Sequence, residues 1–302
     1  MTRKEPDPAM IERAPERQYQ KVGFGLGPTA FYACQFDQRF SFCLYVPTSY
    51  RPDRSEPYPL AVIVHGTNRP AMEYRDRFAD FAEQHECVIL APLFPCGIYE
   101  PNEIHNYKFI TWHDIRFDHV LLAMVDEVAR VYRIDRERFL LHGFSGGGQF
   151  VHRFFYLHPE RLRAVSIGAP GAVTLLDEER DWWIGVRNLE ETFGRALNYD
   201  AMRQVAVQMV IGGDDVDNWD IIMTPDSPLW RAYWMPGAND AGDTRVARLE
   251  ALRASFERAG IPVRYDVVPG VAHEGFKVLD AVKAFFHDVL TGDRAVGAAA
   301  GE

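Results

Sequence analysis

The chain has 302 residues, 47% of them apolar and 25% charged, which is enough to bury one large α/β core and reads as one domain with insertions rather than two. Its formal charge of −10 argues against nucleic acid or an anionic membrane surface as a partner. The opening MTRKEPDPAMIERAPERQYQ has no apolar stretch of leader length and no run of transmembrane length follows, so the expectation is a soluble, cytoplasmic protein.

Residues 1–28 are polar and proline-bearing, and read as an arm on the surface or partly disordered. The alternation of residues 31–36 and 40–46 about Asp37-Gln38 predicts an antiparallel hairpin. Cys34 and Cys43 fall in it; with Cys87 and Cys96 they form no C-x-x-C pair, so free thiols are the default and a Cys34–Cys43 link is the alternative. Leu60 to Val64 is a continuous apolar run between breakers, hence a strand buried on both faces. It runs into His65-Gly66-Thr67, where a glycine lets the backbone turn sharply and leaves the next N–H free to point into a site. Helical spacing then covers 71–85, with Tyr74, Phe78, Phe81 and Ala82 on one stripe, before a second buried strand over 87–91.

Residues 93–114 form a loop rich in aromatics and prolines, of a length that is usually functional at a strand's carboxyl end. An amphipathic helix over 115–132 leads into RFLLHGFSGGGQFVHRFFY. There a short apolar strand, a Gly143-Phe144-Ser145-Gly146-Gly147 turn and an apolar helix follow one another, the setting that makes G-x-S-x-G a nucleophile turn. Beyond it come strands over 164–167, 205–211 and 263–268 and helices over 247–259 and 276–290. Segments at about 175–200 and 217–243 read as cap or loop insertions, the first of them small and rich in tryptophan, and residues 292–302 as a mobile low-complexity tail. The domain proper is therefore 29–291, a doubly wound, mostly parallel sheet with an antiparallel N-terminal edge.

A serine hydroxyl needs a base to take its proton and a group to orient that base. His273 is the expected base, since it lies in the loop after the last strand, bracketed by glycines. Asp215 is the expected acid, three residues past the strand-ending Gly212, with Asp214 the alternative and Asp217 third. The amides of Gly146 and Thr67 are the expected oxyanion donors, and His65 supports that turn or lines the pocket. Trp112, Trp182, Trp183 and Trp219 fall in loops expected to overhang the site and favour a bulky apolar or aromatic group in the substrate. No H-E-x-x-H or H-x-H pairing occurs, so neither a catalytic metal nor a cofactor is expected.

On these motifs the chain resembles the α/β-hydrolase superfamily from about residue 31 to 290. Within it, YVPTSYRPDRSEPYPLAVIVHG and DIRFDHVLLAMVDEVARVYRIDRERFLLHGFSGGG resemble the esterases similar to polyhydroxybutyrate depolymerases and feruloyl esterases. The resemblance implies a serine esterase working through Ser145, His273 and Asp215. The lack of a leader and of an obvious disulfide set favours a small or medium ester over a polymer. An amidase or peptidase would use the same three residues, and a binding protein that keeps the fold without turnover is the reading of a different class.

Overall fold

Strands whose every residue is buried build the centre of the molecule. In the computed structural model, which describes residues 25–292, β1 (Gly27–Pro28), β2 (Tyr32–Ala33), β3 (Ser41–Val46), β4 (Leu60–Val64) and β5 (Val88–Leu93) come first. β6 (Thr111–Trp112) and β7 (Ile115–Arg116) pair with each other as a separate two-stranded ribbon. β8 (Phe139–Phe144), β9 (Leu162–Gly168), β10 (Ala206–Gly212) and β11 (Val263–Val268) complete the main sheet. Its order is β1-β3-β5-β4-β8-β9-β10-β11, with β2 also on β3. β5 to β11 along that order are parallel, and β1, β2 and β3 form the antiparallel edge. β4 and β8 are buried at every position, as expected of central strands covered on both faces.

The helices are α1 (Ala71–Arg77), α2 (Ala79–His85), α3 (Phe117–Val131), α4 (Gly146–Leu157), α5 (Leu189–Phe193), α6 (Tyr199–Arg203), α7 (Arg245–Arg258) and α8 (Leu279–Thr291). α3 buries Phe117, Val120, Leu121, Met124, Val125 and Val128, the i, i+3, i+4, i+7 stripe that the sequence announces. The single helix expected over 71–85 is instead two. The break is at Phe78 (φ −98°, ψ 6°), which caps both pieces. It lets Tyr74 of α1 meet the Phe276 ring (4.8 Å) while Phe78 and Phe81 meet Phe286 of α8 (6.5 and 6.2 Å), two partners that one straight stripe would not serve.

Two other expectations change. Of the N-terminal arm, residues 1–24 lie outside the described part, and Gly27–Pro28 is no arm: it pairs with Val46 and Tyr45 of β3. The hairpin over 31–36 shrinks to Tyr32–Ala33 on Phe42–Ser41, and Phe36 is 63% exposed, because the chain turns to bring the amides of Gln35 and Phe36 onto the Glu127 carboxylate. Residues 293–302 lie outside the described part, as does the tail expectation that falls on them. All four cysteines are free thiols, Cys34 and Cys43 included. No helix among the described residues is long and apolar enough to cross a membrane.

A row of polar side chains crosses the buried sheet. His142 on β8 lies 3.1 Å from Ser166 Oγ on β9, Ser166 donates to Gln208 Oε1 on β10 at 2.6 Å, and Gln208 Nε2 donates to Asp266 Oδ2 on β11 at 2.5 Å. Each side chain of the row bonds to the one on the next strand, which offsets the cost of lost water, and His142 Nε2 alone in the row is left buried without a partner.

Candidate active site

Ser145 stands between β8 and α4 with φ 57° and ψ −115°, a conformation that costs a non-glycine residue about 1–3 kcal/mol. The surroundings enforce it. Ser145 N–H donates to the Gly168 carbonyl at 2.8 Å, and Ser145 O accepts from Gln149 N–H at 3.0 Å. A Cβ on Gly143 would lie 2.5 Å from the Gly147 carbonyl, and one on Gly147 would strike the carbonyl oxygens of Val64 and His65. Strand, turn and helix pass too close here for any residue but glycine.

Parallel pairing of β10 and β11, with Gly212 opposite Val268, sends their following loops off side by side. The two loops are then tied together: Gly213 N–H donates to Val268 O and Asp214 N–H to Val271 O, both at 2.9 Å. The second loop crosses the carboxyl edge of the sheet toward β8, where the His273 ring packs on Phe144 at 4.9 Å and Phe276 on Tyr74. This brings Ser145, His273 and Asp215 into one chain of hydrogen bonds. Ser145 Oγ is 2.9 Å from His273 Nε2, and His273 Nδ1 is 2.6 Å from Asp215 Oδ2. Asp215 is buried whereas Asp214 and Asp217 on the same loop are exposed. The carboxylate fixes the tautomer: Nδ1–H donates to it, leaving Nε2 to accept from the serine hydroxyl.

The turn after β4 lies against the first residue of α4. A Cβ on Gly146 would sit 3.1 Å from Thr67 Oγ1, 2.5 Å from the Tyr107 hydroxyl and 2.9 Å from Lys108 Cε. Gly146 opens α4, so its N–H has no carbonyl one turn back within the helix. His65 does not line this space. Its ring is fully buried, Phe94 N–H donates to Nε2 at 3.0 Å, and Nδ1 donates to Gly66 O at 2.9 Å. Burial and the nearby Arg69 charge push its pKa down to about 3, so it is a neutral brace.

Two basic residues beside the turn carry no sequence signal. Arg69 (φ 57°) donates to the carbonyls of Phe94 (3.0 Å), Ile104 (2.9 Å) and Thr67, clamping the β4 turn to the long loop. Lys108 is buried, with Nζ donating to His105 Nδ1 at 2.8 Å; burial, then the Arg69 charge, drives its pKa far below the ordinary lysine value. Only its place in an aromatic loop set it apart in the sequence, and that marks the loop rather than the residue.

The tryptophans divide. Trp183 is buried and its Nε1 donates to Tyr233 O at 2.8 Å. It packs with Phe109, Ile184, Met223, Trp230 and Tyr233, against which Trp112 and Trp182 are half-buried. Trp219, expected at the pocket, is 79% exposed and contributes nothing to that cluster, because the loop after Asp217 turns it outward. Among the described residues no group of three or more His, Cys, Asp or Glu side chains is gathered for a metal.

No family model and no curated protein matches the chain. Solved structures do. The chain is similar to the LpqC poly(3-hydroxybutyrate) depolymerase from Bordetella parapertussis, with 26% identity, a TM-score of 0.64 and 86% of each chain covered. It is similar in fold to poly(aspartic acid) hydrolase-1 from Sphingomonas sp. KT-1, with 19% identity, a TM-score of 0.63 and 81% of this chain and 92% of that one covered. A ferulic acid esterase matches at 15% identity and a TM-score of 0.57, over 88% of this chain and 99% of its own. The strand order, the strained serine turn and these likenesses together identify the architecture: the chain has the α/β-hydrolase fold, and its solved neighbours include a depolymerase, an esterase and a fluorophosphonate-binding serine hydrolase.

Proposed function

We propose that the protein hydrolyses a carboxylic ester through an acyl-enzyme, with Ser145 as nucleophile, His273 as general base and acid, and Asp215 as the carboxylate that orients the imidazole. The observation that carries this reading is the continuous Ser145–His273–Asp215 hydrogen-bond chain, 2.9 and 2.6 Å long, on a serine turn strained toward the sheet's carboxyl edge. Ser145 Oγ attacks the carbonyl carbon as its proton passes to His273 Nε2. The C=O becomes an oxyanion that the amides of Thr67 and Gly146 stabilise, each such donor being worth about 3 kcal/mol. The same proton goes to the leaving alkoxide, the C–O bond breaks, and water repeats the sequence on the acyl-enzyme.

An ester is favoured over an amide by the 26%-identical neighbour, a polyester depolymerase, since a polyester offers the same bond in a longer chain. A small or medium ester remains the proposed substrate, with segments 175–200 and 217–243 as insertions beside the site and the Trp112–Trp182–Trp183 group near an apolar acyl or alcohol portion.

The test is hydrolysis of short and medium p-nitrophenyl esters beside a p-nitroanilide, by wild type and Ser145→Ala, with fluorophosphonate labelling of both. Wild-type ester cleavage that falls more than about 10³-fold in Ser145→Ala, with labelling lost, is expected. Ester cleavage that survives the substitution would refute the mechanism. Silence of the wild type toward all substrates and the probe would refute the activity.

A further inference from the structure

α7 begins with a buried arginine directly beneath the acid loop. Thr244 caps the helix by accepting from Ala247 N–H at 3.2 Å, and Arg245 follows as its first residue. Arg245 is only 2% exposed. Its Nη1 lies 3.5 Å from Asp215 Oδ1 and donates to the Asp217 carbonyl at 2.9 Å, while Nη2 donates to Asp220 Oδ2 at 2.5 Å. Asp215 therefore has one partner on each oxygen: the imidazole on Oδ2 and the guanidinium on Oδ1. A serine–histidine–aspartate chain does not require the second. Packing does not require it either, since an apolar side chain of that size would fill the space without stripping water from a cation.

The geometry points to Arg245 as a positioning residue that sets the proton affinity of His273 through Asp215. Its bearing on rate rests on the ester-hydrolase reading; its bearing on the imidazole does not. A buried carboxylate alone stabilises the imidazolium and raises the proton affinity of the ring. A fixed positive charge on the carboxylate's other oxygen draws off part of that field and also repels the imidazolium directly. Both effects oppose a second proton on the ring. The planar guanidinium, with three acceptors from one loop, also holds the carboxylate plane toward Nδ1. Asp220 opposes the electrostatic effect, because it shares the guanidinium and partly cancels its charge. The two residues should thus move the imidazole in opposite directions.

Arg248, one turn along α7, and Lys108 also interact with the Arg245 and Asp220 charges, and both are present in every variant compared. Glu274, next in sequence, is paired with Lys277 at 3.0 Å, and the side chains of Asp214 and Asp217 are exposed. The ring face meets Phe144, and Tyr74, whose hydroxyl approaches Gly275, is pushed well above its ordinary pKa by burial and stays neutral.

The experiment follows the His273 imidazole by NMR titration, assigned by its loss in His273→Gln, in wild type, Arg245→Gln, Arg245→Lys and Asp220→Asn. It is set beside the pH profile of kcat/KM on a p-nitrophenyl ester. Arg245→Gln should raise the imidazole pKa and the acid limb of the profile together by about one unit. It should also lower kcat by about tenfold with KM changed by less than about threefold, the pattern of an interaction made in the transition state. Asp220→Asn should move both the other way, and Arg245→Lys should restore the pH position with a lower kcat. Shifts of the same sign in Arg245→Gln and Asp220→Asn, or unmoved titrations with only a lower melting temperature, would overturn the proposal. If Arg245→Gln does not fold, Asp220→Asn alone decides, since an upward or absent shift there contradicts it. If no ester is cleaved by the wild type, the titration still decides the role of Arg245 and only the ester reading falls.

Discussion

Asp215 Oδ2 accepts the Nδ1 proton of His273 at 2.6 Å, while Asp214, one residue earlier, faces solvent. The two acids are nearly equivalent in sequence, and strand geometry separates them: Asp215 N–H folds back on Gly212 O at 3.2 Å, which turns the side chain inward. If the proposed mechanism holds, Asp215→Asn leaves the imidazole with the wrong tautomer and costs about 10⁴-fold in kcat. Asp214→Asn, exposed and without a role in the chain, changes kcat by less than about threefold. Steady-state kinetics on one p-nitrophenyl ester reads both, and equal losses would remove Asp215 from its assigned role. Ser145 and His273 were legible in the sequence because each sits where a strand ends and a glycine-rich turn begins. Arg69, Lys108 and Arg245 were not. A basic side chain turned inward has no periodicity or spacing of its own, and its partners lie on segments far apart in the chain.

Elements were legible where burial is continuous or strictly periodic. β4, β8 and α3 lie close to where the apolar runs put them, within a few residues at their ends. The break at Phe78 and the two-residue strands β1 and β2 were not legible, since they answer to partners brought in by the tertiary fold. The junction between α3 and α4 is of the same kind. Asp118, in the first turn of α3, accepts from Arg116 Nη2 at 2.7 Å and from His158, at the end of α4, at 2.8 Å. Burial would raise its pKa, but the bonds from His158 and Arg116 outweigh it and bring the carboxyl down to about 2. The folded pKa lies below the unfolded value near 3.9, so this stabilisation is complete above pH 4 and disappears as pH falls through about 2. Asp118→Asn leaves a buried partner uncompensated, and should cost about 3 kcal/mol in chemical denaturation at pH 7. An unchanged denaturation midpoint would mean that the two helices are held by packing alone.

The whole molecule carries a set of buried neutral histidines that composition does not reveal. His65, His105, His142 and His152 are all buried. Desolvation drives their pKa values down, to about 3 for His65, about 2 for His105 and about 4 for His142, and well below the ordinary value for His152. Hydrogen bonding gives the same answer independently. His65 and His152 each have one ring nitrogen on a carbonyl and accept a backbone N–H at the other, from Phe94 and Thr174, so a second proton would displace that bond. His142 Nε2 is buried with no acceptor to receive one. Between pH 6.5 and about 4 the unfolded chain therefore binds protons that the folded chain refuses, and stability falls as pH falls. Four such groups remove stability at a rate that approaches about 5 kcal/mol per pH unit about one unit below 6.5, about 1.4 for each. Carboxylates such as Asp118 add their loss only at lower pH. The melting temperature should be nearly flat from pH 8 to 7, then drop by about 4 °C to pH 6 and about 8 °C more to pH 5. His142→Phe keeps a ring in the sheet, lowers stability at pH 7 by leaving Ser166 without a donor, and reduces the steepness of the acid decline by about a quarter. Calorimetric scans at half-unit steps from pH 8 to 4.5 measure both slopes. A wild-type melting temperature unchanged between pH 7 and 5 would show that these rings accept protons in the folded state, contrary to the hydrogen bonds that hold them.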